Sequence, residues 1–352
     1  MLGTVSSIVG GVQEPVERTT PEAIDLQATF ARMLREGDAA CAMEVSSHAL
    51  HLHRVDGIHF GARVFTNLTQ DHLDFHPTME DYFAAKRTLF ERPGGASIVN
   101  ADDEYGRRLA NETDGVLTFG IERDSDYCAI DVRFDTLGSS FTLRAPGPSE
   151  LQVETRLPGL FNVSNALAAI AAAHSLGVEP AIAAEALAGA ARVPGRFEPV
   201  DEGQDFAVIV DYAHTPDSLE NVLRAARDVT RGRLHVVFGA GGDRDSGKRP
   251  LMGEVASRLA DRVIVTSDNP RSEEPEAIVD QIMEGTGPDA EREVDRRRAI
   301  ALAIESAAPG DVVVIAGKGH EQGQEFEDGR KEPFDDVTVA REALNARLGA
   351  RA

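Results

Sequence analysis

The sequence predicts an α/β protein of two domains, the first over residues 1–195 and the second over residues 196–352. Three observations support this prediction. Short apolar runs alternate with segments of helical periodicity, which is typical of parallel sheets covered by helices. A chain of 352 residues is long enough for two domains of ordinary size. Pro194-Gly195-Arg196 interrupts the pattern, so we place the domain boundary near residue 196.

The first half of the chain alternates strands with helices. We predict strands at residues 41–45, 63–66 and 97–99, and helices at residues 77–90 and 161–176. Apolar and polar residues also alternate within residues 116–157, which favours an antiparallel insertion. Residues 1–4 resemble the tail of a buried strand with no strand–helix unit ahead of it, and we expect a sheet that lacks its first such unit.

The second half also alternates strands with helices, in a pattern that predicts a doubly wound, Rossmann-like sheet. Its predicted strands are residues 207–211, 234–238, 262–266 and 312–316. Its predicted helices are residues 217–226, 250–259 and 337–348.

Composition narrows the class of protein. The chain carries 36 basic and 59 acidic side chains, which argues against general binding of nucleic acid. Only two cysteines occur, which suits a reducing compartment and excludes a disulfide scaffold. No apolar run approaches the ~20 residues that span a bilayer. We therefore expect a cytoplasmic protein without membrane insertion.

Two charged loops follow predicted strands of the second domain. Asp268-Asn269-Pro270-Arg271 follows one strand, and Gly317-Lys-Gly-His-Glu321 follows another. The carboxyl ends of parallel strands are where such sheets bind ligands. The chain has no G-x-x-x-x-G-K-[ST] phosphate loop. Residues 242–249 imitate one, but Arg249 stands where the motif needs a hydroxyl, and we predict a different role for this segment.

A set of motifs, in order along the chain, resembles the Mur ligases, and among them the members that add the third amino acid to the peptidoglycan precursor. The motifs are Ala42-Met-Glu-Val-Ser-Ser-His48, Thr66-Asn-Leu-Thr-Gln-Asp-His-Leu-Asp74, Ala84-Ala-Lys86, Asn100-Ala-Asp-Asp103, Gly159-Leu-Phe-Asn-Val-Ser-Asn165, Gly195-Arg-Phe-Glu198, Asp211-Tyr-Ala-His-Thr-Pro216, Gly241-Gly-Asp-Arg244 and the two charged loops. The resemblance implies a central ATPase-type domain, here truncated at its N-terminus, followed by a C-terminal amino-acid-binding domain. The family's uridine-binding domain and phosphate loop are missing from this sequence, so we expect impaired activity.

The resemblance also implies the reaction and its metal ions. Such ligases use ATP to activate a carboxylate as an acyl phosphate, which an amine then attacks. The two anions that meet in this reaction require Mg²⁺ and basic side chains. By resemblance Glu44 and His72 bind Mg²⁺, and Lys86 is carbamylated, so that a cation becomes a carboxylate that helps to hold metal.

Substrate and ATP residues follow from the same resemblance. Those that match binding positions for a UDP-N-acetylmuramoyl dipeptide are Thr19, Thr20, Ser46 and Arg54. Those that match residues around ATP are Asn162, Asn165, Arg196 and Asp211.

The C-terminal loops predict the amino acid that is added. Members that add meso-diaminopimelate carry the Asp-Asn-Pro-Arg pattern, and lysine-adding members lack its arginine. A planar, bidentate cation suits the distal carboxylate of diaminopimelate, and acidic or carbonyl oxygens suit its ammonium. The residues that supply this set are Arg244, Asp268, Asn269, Pro270, Arg271, Gly317 and Glu321.

Two alternatives stay open at this point. The chain is compatible with a non-catalytic protein that still binds diaminopimelate or the muropeptide through the same loops. A metallohydrolase is suggested by the pairs Glu44/His48 and His72/His76, each four residues apart, but Glu44 is predicted at a strand end and no H-E-x-x-H motif occurs.

Overall fold

The computed structural model describes residues 1–147 and 150–351. It contains two compact units. The first comprises Met1–Leu68, Leu73–Tyr127 and Ala168–Glu179, and the second comprises Thr69–His72, Cys128–Leu167 and Pro180–Ala352. Both contain parallel strands and helices, and the α/β class is confirmed. The division into residues 1–195 and 196–352 stays a prediction.

The elements of the first unit alternate along the chain, as the sequence predicts. They are β1 (Ser7–Val9), β2 (Val12–Glu14), α1 (Ala23–Glu36), α2 (Ser47–His51), β3 (Ala62–Phe65), α3 (Met79–Arg87), β4 (Ala96–Asn100), α4 (Glu104–Glu112) and β5 (Leu117–Gly120). Strands β3, β4 and β5 pair in parallel, and β1 and β2 form an antiparallel hairpin.

One predicted strand of the first unit is not a strand. Residues 41–45 form a single parallel bridge, between Leu2 and Met43. Two hydrogen bonds accompany it, from Leu2 N to Ala42 O at 2.9 Å and from Glu44 N to Leu2 O at 2.9 Å. The segment is extended, but its partner offers only one residue for pairing, so no ladder develops.

The predicted antiparallel insertion is partly correct. Three strands and two helices follow β5: β6 (Tyr127–Phe134), β7 (Ser139–Arg144), β8 (Leu151–Thr155), α5 (Leu160–Ser175) and α6 (Pro180–Gly189). Strands β6, β7 and β8 are antiparallel. Strand β5, which the prediction included in the insertion, instead pairs in parallel with β4. Alternation of apolar residues signals a half-buried strand, but it does not fix the direction of its neighbour.

The rest of the second unit is a six-stranded sheet in the order β13-β12-β11-β14-β10-β9. Its elements are β9 (Glu198–Pro199), β10 (Ala207–Asp211), α7 (Pro216–Val229), β11 (Leu234–Phe238), α8 (Lys248–Leu259), β12 (Arg262–Val265), α9 (Pro275–Met283), β13 (Glu291–Arg292), α10 (Arg296–Ser306), β14 (Val312–Ala316), β15 (Gly323–Glu325), β16 (Lys331–Pro333) and α11 (Asp336–Arg351). All pairs in the six-stranded sheet are parallel except β9 with β10. Strands β15 and β16 form a separate antiparallel hairpin.

Helices cover both faces of this sheet. Successive residues of a strand point to opposite faces, so each strand contributes side chains to two cores. In β14, Val312 and Val314 join the core that contains residues of α7, α8 and α9, whereas Val313 and Ile315 join the core that contains residues of α10 and α11. A strand that is buried on both faces reads as a continuous apolar run, which is the pattern that predicted it. None of the helices within the described ranges is long and apolar enough to cross a membrane.

Candidate active site

The two charged loops lie at the carboxyl edge of the six-stranded sheet. One follows β12 and the other follows β14, and both of these strands pair with β11. The two loops therefore meet above β11, as the parallel topology predicts. The contacts between them show which of their residues form a common site.

A buried lysine joins the two loops. Lys318 has no exposed surface, and its Nζ donates to Asn269 Oδ1 at 2.8 Å and to Glu321 Oε2 at 3.1 Å. Asp268 Oδ1 lies 3.5 Å from the same ammonium. Asn269 Nδ2 donates to Glu321 Oε2 at 2.7 Å. The predicted residues Asp268, Asn269 and Glu321 are thus brought together around one cation.

Arg271 lies in a constrained turn next to these residues. Its backbone has φ of +52°, a left-handed conformation that is uncommon outside glycine. The guanidinium donates from Nη1 to Gly242 O at 2.7 Å and from Nε to Glu325 Oε2 at 3.1 Å. The backbone N of Arg271 donates to Glu325 O at 3.0 Å. Pro270 precedes it and restricts the chain on that side.

A polar cavity opens beside Arg271. It encloses about 430 Å³ and is lined by Asn269, Arg271, residues 321–323, Glu325 and residues 331–333. Small-molecule sites typically enclose roughly 300–1,000 Å³, so an amino acid fits. Three of the predicted amino-acid-binding residues therefore line one cavity together, namely Asn269, Arg271 and Glu321.

The other predicted residues of this set lie outside the lining. Gly317 has φ of +117°, and a Cβ there would lie 2.5 Å from Asp268 Oδ2, so only glycine fits beside that carboxylate. Asp268 is itself 5% exposed. Arg244 is exposed, and its Nη1 donates to Asp243 O at 2.9 Å.

A buried ion pair supports the loops from below. Arg296 donates to Asp336 at 2.8 and 2.7 Å, and neither side chain is exposed. Arg296 also donates from Nη2 to Ala316 O at 2.9 Å and from Nη1 to Ser267 O at 3.3 Å, which are the residues just before the two charged loops. Burial opposes the charge of Arg296, but Asp336 raises its pKa above the ordinary value.

The predicted ATP residues Arg196 and Asp211 occupy one neighbourhood. The Arg196 guanidinium lies 4.3 Å from the ring centre of Tyr212. Asp211 accepts from Phe197 N at 2.7 Å and from Ala213 N at 2.8 Å. Burial raises the pKa of Asp211, although these amides oppose the shift, and burial raises the pKa of Tyr212 to about 12. Asp211 therefore holds the loop backbone around Arg196.

Asn162 and Asn165 lie on one face at the start of α5, as their spacing predicts. Asn162 Nδ2 donates to Pro158 O at 2.8 Å, and Asn165 Nδ2 lies 3.4 Å from Asn162 Oδ1. Asn162 is 5% exposed.

In the first unit, Glu44 lies among hydroxyl groups. Its carboxylate accepts from Thr4 N at 3.1 Å and from Thr4 Oγ1 at 2.5 Å, and Thr4 Oγ1 also lies 3.1 Å from Thr19 Oγ1. Thr20 Oγ1 donates to Glu44 O at 2.9 Å. Carboxylate oxygens are ligands that Mg²⁺ prefers, so the Glu44 carboxylate fits as one ligand of a magnesium ion.

The predicted muropeptide residues lie next to Glu44. Ser46 N donates to Thr20 Oγ1 at 3.1 Å, and Ser46 Oγ accepts from Ala49 N at 3.2 Å, where it caps α2. Arg54 donates to Thr20 O at 3.1 Å and lies 2.8 Å from Glu22 Oε1. The structure thus brings Thr19, Thr20, Ser46 and Arg54 together around the Glu44 segment.

Lys86 and His72 have different surroundings. Lys86 lies in the last turn of α3, with Nζ 5.2 Å from the ring centre of Tyr82. His72 has φ of +56°, and its Nε2 lies 3.6 Å from Asp71 Oδ2. Burial alone would raise the pKa of Asp71, but His214, Lys248 and His72 together lower it below its ordinary value.

The histidine-rich segment forms an aromatic cluster. His76 is buried, bonds Ser47 Oγ at 2.9 Å and stacks on Tyr82 at 4.9 Å, while His48 and His51 pack on Phe75. Within residues 1–147 and 150–351, no group of three or more His, Cys, Asp or Glu side chains could hold a metal ion. The pairs four residues apart therefore supply no metallohydrolase constellation in the described part of the chain.

Arg249, which replaces the hydroxyl residue of the phosphate-loop motif, is fully buried. It donates to both oxygens of Glu273 at 2.7 and 2.8 Å, to Gln281 Oε1 at 2.7 Å and to Gly241 O at 3.1 Å. These bonds hold α8, α9 and the loop after β11 together.

Sequence reasoning missed two parts of the site, namely Lys318 and the hairpin β15–β16. Lys318 lies within the charged loop Gly317–Glu321, and a lysine two residues after a buried strand is a signal for a paired buried charge. The hairpin β15–β16 supplies Gly323, Glu325 and residues 331–333 of the lining. Its strands have three residues each, too short for a periodic pattern to reveal them.

Models of known protein families match both halves of the chain. The family model of the Mur ligase middle domain matches residues 1–173. The model of the Mur ligase glutamate ligase domain matches residues 195–319.

Curated relatives extend the similarity over nearly the whole chain. The UDP-N-acetylmuramoyl-L-alanyl-D-glutamate–2,6-diaminopimelate ligase of Streptomyces coelicolor is 50% identical over 99% of this chain and 71% of its own length. The ligase of the same name from Gloeobacter violaceus is 49% identical over 99% of this chain and 72% of its own length.

Solved structures agree with these matches. A structure of UDP-N-acetylmuramoyl-L-alanyl-D-glutamate–2,6-diaminopimelate ligase is 36% identical, covers 96% of this chain and 71% of that chain, and has a TM-score of 0.63. The MurF ligase of Thermotoga maritima in complex with ADP has a TM-score of 0.66 at 17% identity, over 92% of this chain and 72% of that one, and supports the fold alone.

Proposed function

The chain belongs to the Mur ligase family, and on that premise we propose that it joins meso-2,6-diaminopimelate to UDP-N-acetylmuramoyl-L-alanyl-D-glutamate in an ATP-dependent step of peptidoglycan synthesis. The reaction forms a C–N bond. The observation that carries the choice of amino acid is Arg271, held at a polar cavity beside Asn269 and Glu321.

The reaction requires two anions to meet. A carboxylate oxygen of the muropeptide attacks the γ-phosphorus of ATP, and ADP leaves. The amine of diaminopimelate then attacks the acyl carbon, phosphate leaves, and the amine loses a proton. The protein must place the partners and neutralise charge, because these steps need little covalent chemistry from side chains.

The cavity beside Arg271 suits the distal end of diaminopimelate. That end is an amino acid, with a carboxylate and an ammonium on one carbon. Arg271 offers N–H groups in a planar fork for the carboxylate. Glu321 offers a carboxylate for the ammonium. Lys318 and Asn269 hold Glu321 in place, and Gly317 leaves room for Asp268.

The remaining substrate residues are proposed from the same family pattern. Thr19, Thr20, Ser46 and Arg54 would bind the UDP-N-acetylmuramoyl dipeptide, and their mutual contacts support one joint surface. Residues proposed for ATP are Asn162, Asn165, Arg196 and Asp211. Arg244 would reach diaminopimelate from outside the cavity lining.

Glu44, His72 and carbamylated Lys86 are proposed to hold Mg²⁺. The oxygen donors around Glu44 support this assignment most directly. Bound Mg²⁺ would supply charge neutralisation for the phosphates. Thr4 donates from its backbone N to one oxygen of Glu44 and from its hydroxyl to the other. We therefore expect Thr4 to orient the carboxylate.

Two further proposals follow. The two family models match residues 1–173 and 195–319, which supports a boundary near residue 195 between a central domain, residues 1–195, and an amino-acid-binding domain, residues 196–352. A ligase that consumes ATP and a uridine-diphosphate sugar works where both are made, so we infer a cytoplasmic location.

Ligand binding tests the proposal without requiring turnover. Isothermal titration should show that meso-diaminopimelate binds and that L-lysine, which lacks the distal carboxylate, binds at least tenfold more weakly. Arg271→Lys keeps the charge but loses the planar fork and should remove most of this selectivity. Equal affinity for the two amino acids in the unaltered protein would contradict the assignment of diaminopimelate.

Turnover separates the ligase from the alternative of a non-catalytic binding protein. The measurement is phosphate release with ATP and the muropeptide, in the presence and absence of diaminopimelate. Release that depends on both acceptor and amine supports the ligase. Binding of diaminopimelate with no such release supports the alternative.

A further inference from the structure

Glu325 connects the hairpin β15–β16 to the loop that carries Arg271. Glu325 N donates to Asn269 Oδ1 at 3.0 Å, and Glu325 O accepts from Arg271 N at 3.0 Å. These two bonds fix the strand by its backbone. The side chain makes a third bond, in which Glu325 Oε2 accepts from Arg271 Nε at 3.1 Å. Substitution of the side chain therefore removes the third bond and leaves the other two.

The guanidinium of Arg271 is held on two of its three nitrogens. Nε donates to Glu325 and Nη1 donates to Gly242 O. Nη2 makes no hydrogen bond to any residue that the structure describes. Each terminal nitrogen carries two N–H groups, so the Nη end keeps donors for a further acceptor. The side chains of Arg271 and Glu325 are 21% and 33% exposed, at the wall of the cavity.

We propose that Glu325 is a positioning residue for recognition of the distal amino-acid end of diaminopimelate. Its carboxylate fixes the Nε side of Arg271 and thereby keeps the terminal nitrogens available to the ligand carboxylate. The inference rests on the proposed function, because it takes Arg271 as the group that meets that carboxylate. An unrestrained arginine samples many rotamers, and fixing it before binding reduces the entropy that the ligand must overcome.

Glu325 would have the opposite effect on ligand affinity if it competed with the ligand for Arg271. The lining contains three carboxylates, Glu321, Glu325 and Glu332, and two cations, Arg271 and Lys331. A carboxylate that only competed with the ligand for Arg271 would weaken binding, and its removal would strengthen binding. A positioning carboxylate strengthens binding, and its removal weakens it. The direction of the change therefore decides between them.

Titration of meso-diaminopimelate and L-lysine into four proteins tests the inference. The proteins are the unaltered chain, E325A, E325Q and E332Q, with melting temperatures measured for each. Glu332 is the matched control, because it lines the same cavity and makes its ion pair with Arg330 rather than Arg271. If E325A does not fold, E325I replaces it, since a β-branched residue suits a strand and also lacks an acceptor.

We expect the change in affinity to differ between the two ligands and between the variants. E325A should bind meso-diaminopimelate roughly tenfold more weakly, the usual effect of losing one hydrogen bond to a charged group. The affinity of E325A for L-lysine should equal that of the unaltered protein. E325Q should stay within about threefold of the unaltered protein, because the amide oxygen still accepts from Nε. E332Q should match the unaltered protein.

A double-mutant cycle shows whether Glu325 acts through Arg271. In an R271A background, E325A should cause no further loss. Unchanged or tighter binding by E325A overturns the inference while the proposed function stands. An equal loss for E325A and E332Q also overturns it, because net charge would then explain the effect. If the unaltered protein binds no diaminopimelate, the proposed function fails and this inference fails with it.

Discussion

The ammonium of Lys318 lies 2.8 Å from Oδ1 of Asn269, and the two residues are 0% and 7% exposed. A lysine so deeply buried is stable only among partners that balance its charge. Asp268 and Glu321 supply that balance at 3.5 and 3.1 Å. The same contacts hold three of the residues proposed for diaminopimelate, namely Asp268, Asn269 and Glu321. The geometry of the site and the stability of this region therefore both depend on Lys318.

Replacement of Lys318 by methionine should therefore affect both stability and binding. The side chain keeps a similar length but leaves two carboxylates without their cation. We expect the free energy of unfolding to fall by about 3 kcal/mol, the usual result of breaking a buried pair. Binding of diaminopimelate should be lost. Urea denaturation and titration measure the two effects. Lys331→Met, which removes an exposed cation from the same cavity, should leave the unfolding midpoint in place.

Gly317→Ala tests the close approach of the two loops. Its Cβ would lie 2.5 Å from Asp268 Oδ2, and φ of +117° is also unfavourable for alanine. Gly329→Ala is the matched control, with φ of +70° and no atom within 4 Å of the new Cβ. Backbone strain costs both variants roughly 1–2 kcal/mol. We expect the Gly317 variant alone to lose diaminopimelate binding as well, and equal behaviour of the two variants would show that the clash is relieved.

Asp336→Asn tests the ion pair below the loops. It should lower the free energy of unfolding by about 3–5 kcal/mol, because Arg296 stays charged and buried without its partner. Glu342→Gln breaks the exposed pair between Glu342 and Arg297 and should have little effect. Thermal and urea denaturation of both variants measure the difference. A small effect of Asp336→Asn would mean that the carbonyl groups of Ser267 and Ala316 suffice for Arg296.

The sequence predicted the strands of the second unit well because they are buried on both faces. The prediction for residues 312–316 coincides with β14, and residues 207–211 coincide with β10. Prediction was weaker where pairing decides the structure. Residues 41–45 have the composition of a strand but meet only Leu2, and β5 takes its direction from β4 rather than from its own residues.

Prediction of the site from the sequence has the same limit. Strand ends and residue types located Asn269, Arg271 and Glu321, because parallel topology brings such loops to one edge. Glu325 could not be recognised in this way. Its part in the site depends on a short hairpin that folds back on the first loop, and nothing in its local sequence indicates a contact with Arg271. The burial of Arg296 against Asp336 likewise depends on the packing of α10 and α11.

The stability of the second unit should depend on pH through His235. This residue of β11 is 1% exposed, and its Nε2 lies 3.0 Å from Asp311 Oδ2. Burial lowers the pKa of His235 below the ordinary value of 6.5, although Asp311 opposes the shift and Arg262 and Arg233 reinforce it. The unfolded chain therefore takes up a proton at a higher pH than the folded chain. The contribution of His235 is complete above pH 6.5 and is lost as the pH falls through its folded pKa.

His235→Gln separates this effect from other titrations, because an amide can still donate to Asp311 but does not titrate. Urea denaturation at about pH 7.5 and about pH 5 measures it. The unaltered protein should lose more free energy of unfolding between the two values than the variant does. The pKa of Asp311 is lowered from 3.8, so the stability that it contributes is lost only at a pH below this window. Parallel losses in the two proteins would assign the pH dependence to groups other than His235.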